Sequence, residues 1–161
     1  MNRRTTLMSI ALLSFVACSF PQASFAQSSP LIGTWKLNLE KSKFTPGTAP
    51  RSQTATFQQD GQNIKNTNQT IDAQGNATTS VFLHIYDGQP HPTTGNPLYD
   101  ASAYLRLDGN TIVLSRSKGG KLIQIGTIVV SQDGKSRTNT TSGILGPNGL
   151  AGTTVSVYDK Q

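Results

Sequence analysis

Ala101-Ser102-Ala103-Tyr104-Leu105-Arg106-Leu107-Asp108-Gly109-Asn110-Thr111-Ile112-Val113-Leu114-Ser115-Arg116-Ser117 decides the fold. Two runs of alternating side chains flank an Asp-Gly corner, which is the signature of a hairpin between antiparallel strands. The same corner recurs at Asp60-Gly61, Asp87-Gly88 and Asp133-Gly134. Both residues tolerate the positive φ of tight turns, so each pair predicts a chain reversal. No helical periodicity runs long enough to compete.

Outward from this stretch, strand signals recur near 32–39, 53–59, 62–71, 77–86, 102–107, 111–117, 121–131, 136–143 and 152–159. Short connections force neighbouring strands to pair antiparallel, and closing the sheet removes its exposed edges. The expected fold is therefore all-β, an antiparallel up-and-down β-barrel of about 8–9 strands, with a β-sandwich as the runner-up. Two connections are longer. Residues 40–51 read as a loop with one helical turn over 39–44. Residues 87–100 carry Pro90, Pro92, Pro97 and two glycines, and read either as a mouth or lid or as a structural corner.

The N-terminus reads as a signal peptide over 1–26. Arg3 and Arg4 precede an apolar stretch too short to span a membrane, and Ser24-Phe25-Ala26 offers a cleavage site. Residues 27–161 then form a single β-barrel domain, periplasmic or secreted. Cys18, the only cysteine, lies in the leader; Phe15-Val16-Ala17-Cys18 offers a lipidation site as the alternative. The mature chain has no disulfide and relies on core and sheet. A net charge of +6 is spread without basic runs or interleaved aromatics, which gives no nucleic-acid surface.

The strand faces are uneven. Val81, Leu83 and Ile85, and likewise Ala101, Ala103, Leu105 and Leu107, form plainly apolar faces, and residues 122–130 are apolar on both sides. Lys65–Thr70 and Ser136–Ser142 are polar on both faces. The expected core is apolar on one wall and polar on the other, and inward polar groups need each other, water or a ligand.

The chain has only two histidines and eight carboxylates, half of them spent on the Asp-Gly corners. No nucleophile elbow, zinc spacing, EF-hand, phosphate-cradling loop or carboxylate pair is present. The reading is non-enzymatic, without metal or cofactor. Ligand-binding candidates are His84, Tyr86, Tyr104 and Arg106 on the less apolar faces of strands, Arg116 as an inward-pointing charge, and His91 in the Pro-rich segment. Arg116 shares a face with Ile112 and Leu114; a buried Arg demands an acidic partner or an anionic ligand, unless Arg106 and Arg116 form a ladder in solvent. Trp35 is structural, plugging one end of the core. The function that follows is binding of a small-molecule ligand in the barrel cavity. The alternative is a structural or interaction protein of the cell envelope with a filled barrel.

Gly33-Thr34-Trp35 on the first strand resembles the lipocalin and wider calycin pattern. That resemblance implies that Trp35 closes the barrel base under a basic residue, for which Lys160 or Arg137 stands in position. The second lipocalin signature is missing. Gly33–Asn38, Lys41–Phe44, Tyr86–Gly88, Pro92–Pro97 and Val157–Lys160 together resemble a group of small secreted bacterial lipocalin-like proteins, a likeness that implies fold and export but assigns no activity.

Overall fold

The computed structural model describes residues 29–45, 47–145 and 149–161. The proposed leader, with its cleavage site and Cys18, lies outside them. Ten strands follow in order: β1 (Gly33–Thr45), β2 (Ser52–Asp60), β3 (Asn63–Ile71), β4 (Ala77–His84), β5 (His91–Pro92), β6 (Ala101–Arg106), β7 (Thr111–Lys118), β8 (Lys121–Val130), β9 (Ser136–Ile144) and β10 (Ala151–Lys160). They form one antiparallel sheet ordered β4-β3-β2-β1-β10-β9-β8-β7-β6-β5. The first and last strands pair, with Trp35 opposite Lys160 and Leu37 opposite Tyr158. The all-β, up-and-down, nearly closed barrel expected from the turns is what forms. The strand count rises to ten through the two-residue β5.

Segment 85–100 closes the remaining seam between β4 and β6. Val81 and Thr94 exchange backbone hydrogen bonds at 3.0 and 3.1 Å, and His91 and Pro92 pair with Ser102 and Ala101. Gly95 makes this approach feasible: its φ is +72°, and a Cβ there would lie 2.0 Å from the Thr79 carbonyl oxygen. The prolines thus stiffen a closing piece of wall. For the same reason Asp87-Gly88 does not join paired neighbours, whereas Asp60-Gly61, Asp108-Gly109 and Asp133-Gly134 do. The Asp residues adopt no positive φ. They act through their carboxylates: Asp108 accepts the N–H groups of Asn110 and Thr111, both at 2.7 Å.

Three expectations need correction. The helical turn over 39–44 is strand, because β1 runs on to Thr45, past a register shift between Asn38 and Lys43, to follow β10. The inward face of β4 is Ser80-Phe82-His84, and that of β6 includes Ser102 and Tyr104; Leu105 and Leu107 are exposed. For β4 the pairing with β3, which sets Ile64 opposite His84 and Asn66 opposite Phe82, turns that face inward. Residues 122–130 are buried on one side only, with Leu122, Ile125 and Val129 in solvent.

The core also divides differently, along the barrel axis instead of between walls. Leu31, Trp35, Phe57, Ile64, Tyr104, Ile112, Leu114, Ile128 and Val130 fill the end that carries the Asp-Gly corners at 60, 108 and 133. Burial of this apolar surface is the main stabilising term, about 25 cal/mol per Å² removed from water. Trp35 is 0 % exposed and donates from Nε1 to the Leu31 carbonyl at 2.7 Å. The Lys160 ammonium lies 5.1 Å from its ring centre and the Arg137 guanidinium 5.7 Å.

Candidate functional site

The other end is hollow. Inward positions of β2, β3, β8, β9 and β10 there carry amides and hydroxyls, where an apolar core would need Val or Leu, and β7 adds the guanidinium of Arg116. The result is a cup of about 530 Å³ whose wall includes Gln53, Thr70, Arg116, Gln124, Asn139 and Thr141. That volume lies within the usual range for ligand pockets. A smaller recess of about 320 Å³ adjoins it, where Phe82, Pro97, Leu98 and Tyr99 supply the apolar surface. Leu98 and Tyr99 line both, as do Gln53, Asn68 and Thr70. The rim includes Phe44, Gly47, Thr48, Pro50, residues 72–74, Leu145 and Leu150.

Charge in the interior is one-sided. Arg116 donates from Nη1 to Gln124 Oε1 at 2.9 Å, and its guanidinium lies over the Tyr99 ring at 4.6 Å; its Nε is buried without a partner. Gln124 is anchored in turn by the Ile144 carbonyl. One layer below the cup floor sits Arg137, 2 % exposed, with its guanidinium 4.0 Å from the Tyr158 ring centre and 4.8 Å from that of Phe57. Burial pushes its pKa down to about 10, which leaves it cationic at neutral pH. The ion pairs among the described residues are Lys41–Asp159 and His91–Asp87, so neither interior guanidinium meets a carboxylate. None of the eight carboxylates is buried. The one on the cup rim, Asp72, is occupied by the backbone N–H and side-chain amide of Asn76.

The sequence-predicted residues separate. Arg116 lines the cup. His84 and Tyr104 lie in the filled half, stacked at 3.8 Å, with His84 1 % exposed and both its ring nitrogens unpartnered. Burial, reinforced by Arg137, Arg116 and Arg106, pushes the His84 pKa down to about 3, so the ring is neutral. Tyr104 has its phenol pKa raised by burial. Arg106 is exposed at the closed end, over the Tyr86 ring at 4.3 Å and bonded to Ser29. His91 bonds the Asp87 carboxylate on the outside of the seam. The cup residues that sequence reasoning did not name include Gln53, Tyr99, Gln124, Asn139 and Tyr158. Their signal was the polar alternation of the strands, which marks a wet interior but not the level along the axis at which it opens. Among the described residues, no group of three or more His, Cys, Asp or Glu side chains could hold a metal ion.

No protein-family model matches the chain, and no curated protein matches it. Solved structures do. A mutant of the REP1-NXSQ fatty acid transporter is similar at 17% identity, covering 83% of this chain and 100% of its own, with a TM-score of 0.50. The zebrafish ileal bile acid-binding protein complexed with cholic acid is similar at 16% identity over 83% of this chain and 100% of its own, with a TM-score of 0.49. What the chain shares with the fatty acid transporter is the antiparallel β-barrel fold. At such identities the likeness concerns the fold, and the chemistry of the cup must come from its own residues.

Proposed function

We propose that the protein is an exported, non-enzymatic binding barrel, periplasmic or secreted, that takes a small molecule into the cup at its open end. The observation that carries this is the half-filled interior. One end is sealed by Trp35 and its neighbours, while the other keeps about 530 Å³ open and walls it with side chains that a folding core would not select. A barrel kept only as a scaffold or interaction surface gains stability by filling that space with apolar residues. The leader-like N-terminus and the likeness to small secreted bacterial lipocalin-like proteins support export.

The test is native mass spectrometry of the purified protein, combined with thermal shift across a metabolite panel. A non-covalent mass that leaves on denaturation, or a reproducible rise in Tm, is expected. Ser156→Trp, which fills the cup from β10, should abolish it while circular dichroism still reports the sheet. No bound mass and no shift with any compound would return the reading to a structural role.

A further inference from the structure

We infer that the ligand is a small polyhydroxylated organic anion, a sugar acid in chemical class, bound with its acid group at Arg116 and its hydroxyls against the amide and hydroxyl wall. This rests on the proposed binding role of the cup and specifies what enters it.

The anionic group follows from charge. Among the described residues Arg116 is the one cation lining the cup, it has no carboxylate partner, and only part of its donor set is used. Arg137 lies behind Tyr158 with no acid near it and adds to the same positive field. A half-buried guanidinium with donors to spare gains a charge-assisted bond from an oxyanion that reaches it. Gln124 holds the Arg116 fork from one side and Tyr99 from the other, so the group is positioned before a ligand arrives.

The hydroxyls follow from the wall. An acid with an alkyl tail, headed at Arg116, would lay methylenes on Gln53, Asn68, Thr70, Asn139 and Thr141. Gln53 bonds Thr70 and Tyr158, and Asn68 accepts from Asn66, so these groups are partly satisfied within the wall; their remaining donors and acceptors, and those of Asn139 and Thr141, would lose water and gain nothing, which is the costly side of the hydrogen-bond balance. Asn139 makes the point sharply: its Oδ1 is buried with no partner, and its side chain faces the cup from β9. A turn of the amide brings that oxygen to the cup, where a ligand hydroxyl satisfies it and a methylene does not. Apolar surface is confined to the rim and to the recess of Phe82, Pro97, Leu98 and Tyr99, enough for one C–H face of a sugar ring.

The experiment is isothermal titration of the purified protein at neutral pH with four probes: glucuronate, gluconate, glucose and decanoate. Binding of glucuronate or gluconate is expected, at least about tenfold tighter than glucose or decanoate, the discrimination due to one charge-assisted hydrogen bond. Arg116→Gln should cost the acids about tenfold or more and bring them near glucose. Asn139→Leu should weaken the sugar acids and leave decanoate unchanged or improved, a split that loss of folding would not produce. Decanoate binding best would overturn the polyhydroxylated class while leaving the cup as a binding site. Glucose binding as well as glucuronate would overturn the anionic part. Binding of none of the four, together with a cup-filled Ser156→Trp variant indistinguishable from the parent in native mass spectrometry, would overturn this inference and the binding role with it.

Discussion

At the scale of single residues, the interior is defined by groups whose usual partners are missing. His84 is the clearest. Its ring is stacked on Tyr104 and edge-on to Phe57 and Tyr86, with no hydrogen bond to either nitrogen. Its folded pKa, about 3, lies below the unfolded value of 6.5. Between those limits the unfolded chain binds a proton that the folded one refuses, so stability must fall as pH drops from 6.5 toward 3, by up to about 1.4 kcal/mol per pH unit. Urea unfolding at pH 7, 5.5 and 4 should show this loss, and His84→Phe should remove the slope above pH 4. Below that, a second loss is expected in any variant. Asp87, Asp108 and Asp133 have their carboxylate pKa values lowered, chiefly by hydrogen bonds within their turns, so their contribution is present above the ordinary range and lost as pH falls through the folded values. Arg137 is another such group, its Nε buried without a partner. A buried guanidinium without an acid is costly, and replacing it with an unbranched apolar side chain removes that cost along with the cation–π contacts. Arg137→Met is expected to be as stable as the parent within about 1 kcal/mol, or more stable. Arg137→Ala, which leaves a hole beside Tyr158 and Phe57, should lose about 2–4 kcal/mol in the same denaturation assay.

At the scale of elements, the decisive junction is where β1 meets β10. Gly33 has a φ of +125°, and a Cβ on it would fall 2.9 Å from Lys160 Cε, the stem that carries the ammonium over Trp35. The Gly-x-Trp pattern therefore has two physical reasons, a backbone angle that only glycine adopts freely and room for a basic side chain across the indole. Gly33→Ala should destabilise by about 1–3 kcal/mol. Because the clashing atom belongs to a flexible side chain, most of that cost is backbone strain, so Gly33→Ala made in a Lys160→Ala background should still cost about 1 kcal/mol or more by thermal or urea unfolding. The junction was legible in the sequence, since glycine, tryptophan and a terminal lysine are each rare and positional. The strand faces were not. In β4 the alternation offered Val81-Leu83-Ile85 or Ser80-Phe82-His84, and by hydropathy the first set wins. The barrel instead turns Phe82 and His84 inward, because Ile64 opposite His84 and Asn66 opposite Phe82 fix the register through β3. Period-two alternation identifies two faces; which one is inside depends on pairing with a neighbour that is itself polar on both sides. Arg116 was recoverable because it follows Ile112 and Leu114 on a strand with one unambiguous face. Gln124, Asn139 and Tyr158 were not, since nothing local distinguishes an inward amide from an outward one.

At the scale of the whole molecule, the barrel is continuous everywhere except at one line. From β5 round to β4 every neighbouring pair of strands is laddered, with nine registered positions between β9 and β10 and nine between β2 and β3. Across the seam, β4 is held to the 85–100 segment by the two backbone bonds between Val81 and Thr94, assisted by Ser80 Oγ donating to the Gly95 carbonyl at 3.3 Å. The same segment then supplies Asn96, Pro97, Leu98 and Tyr99 to the recess beside the cup. Local opening free energies follow the number of contacts that must break, so the seam should open far more often than the barrel unfolds. Native-state hydrogen exchange is expected to show the amides of Val81 and Thr94 exchanging through a local event that denaturant barely affects, while those of Tyr158 in β10 and Ile128 in β8 exchange only on global unfolding. Such an event also parts Tyr99 from Phe82, now 6.1 Å apart, and unstacks Tyr99 from Arg116. Seam opening would then admit a ligand sideways as well as through the rim, and a bound ligand touching Tyr99 should slow exchange at Val81 and Thr94 without changing it at Ile128. Equal protection at all four amides would mean that the seam is as firmly closed as the ladders, and entry would then be confined to the rim.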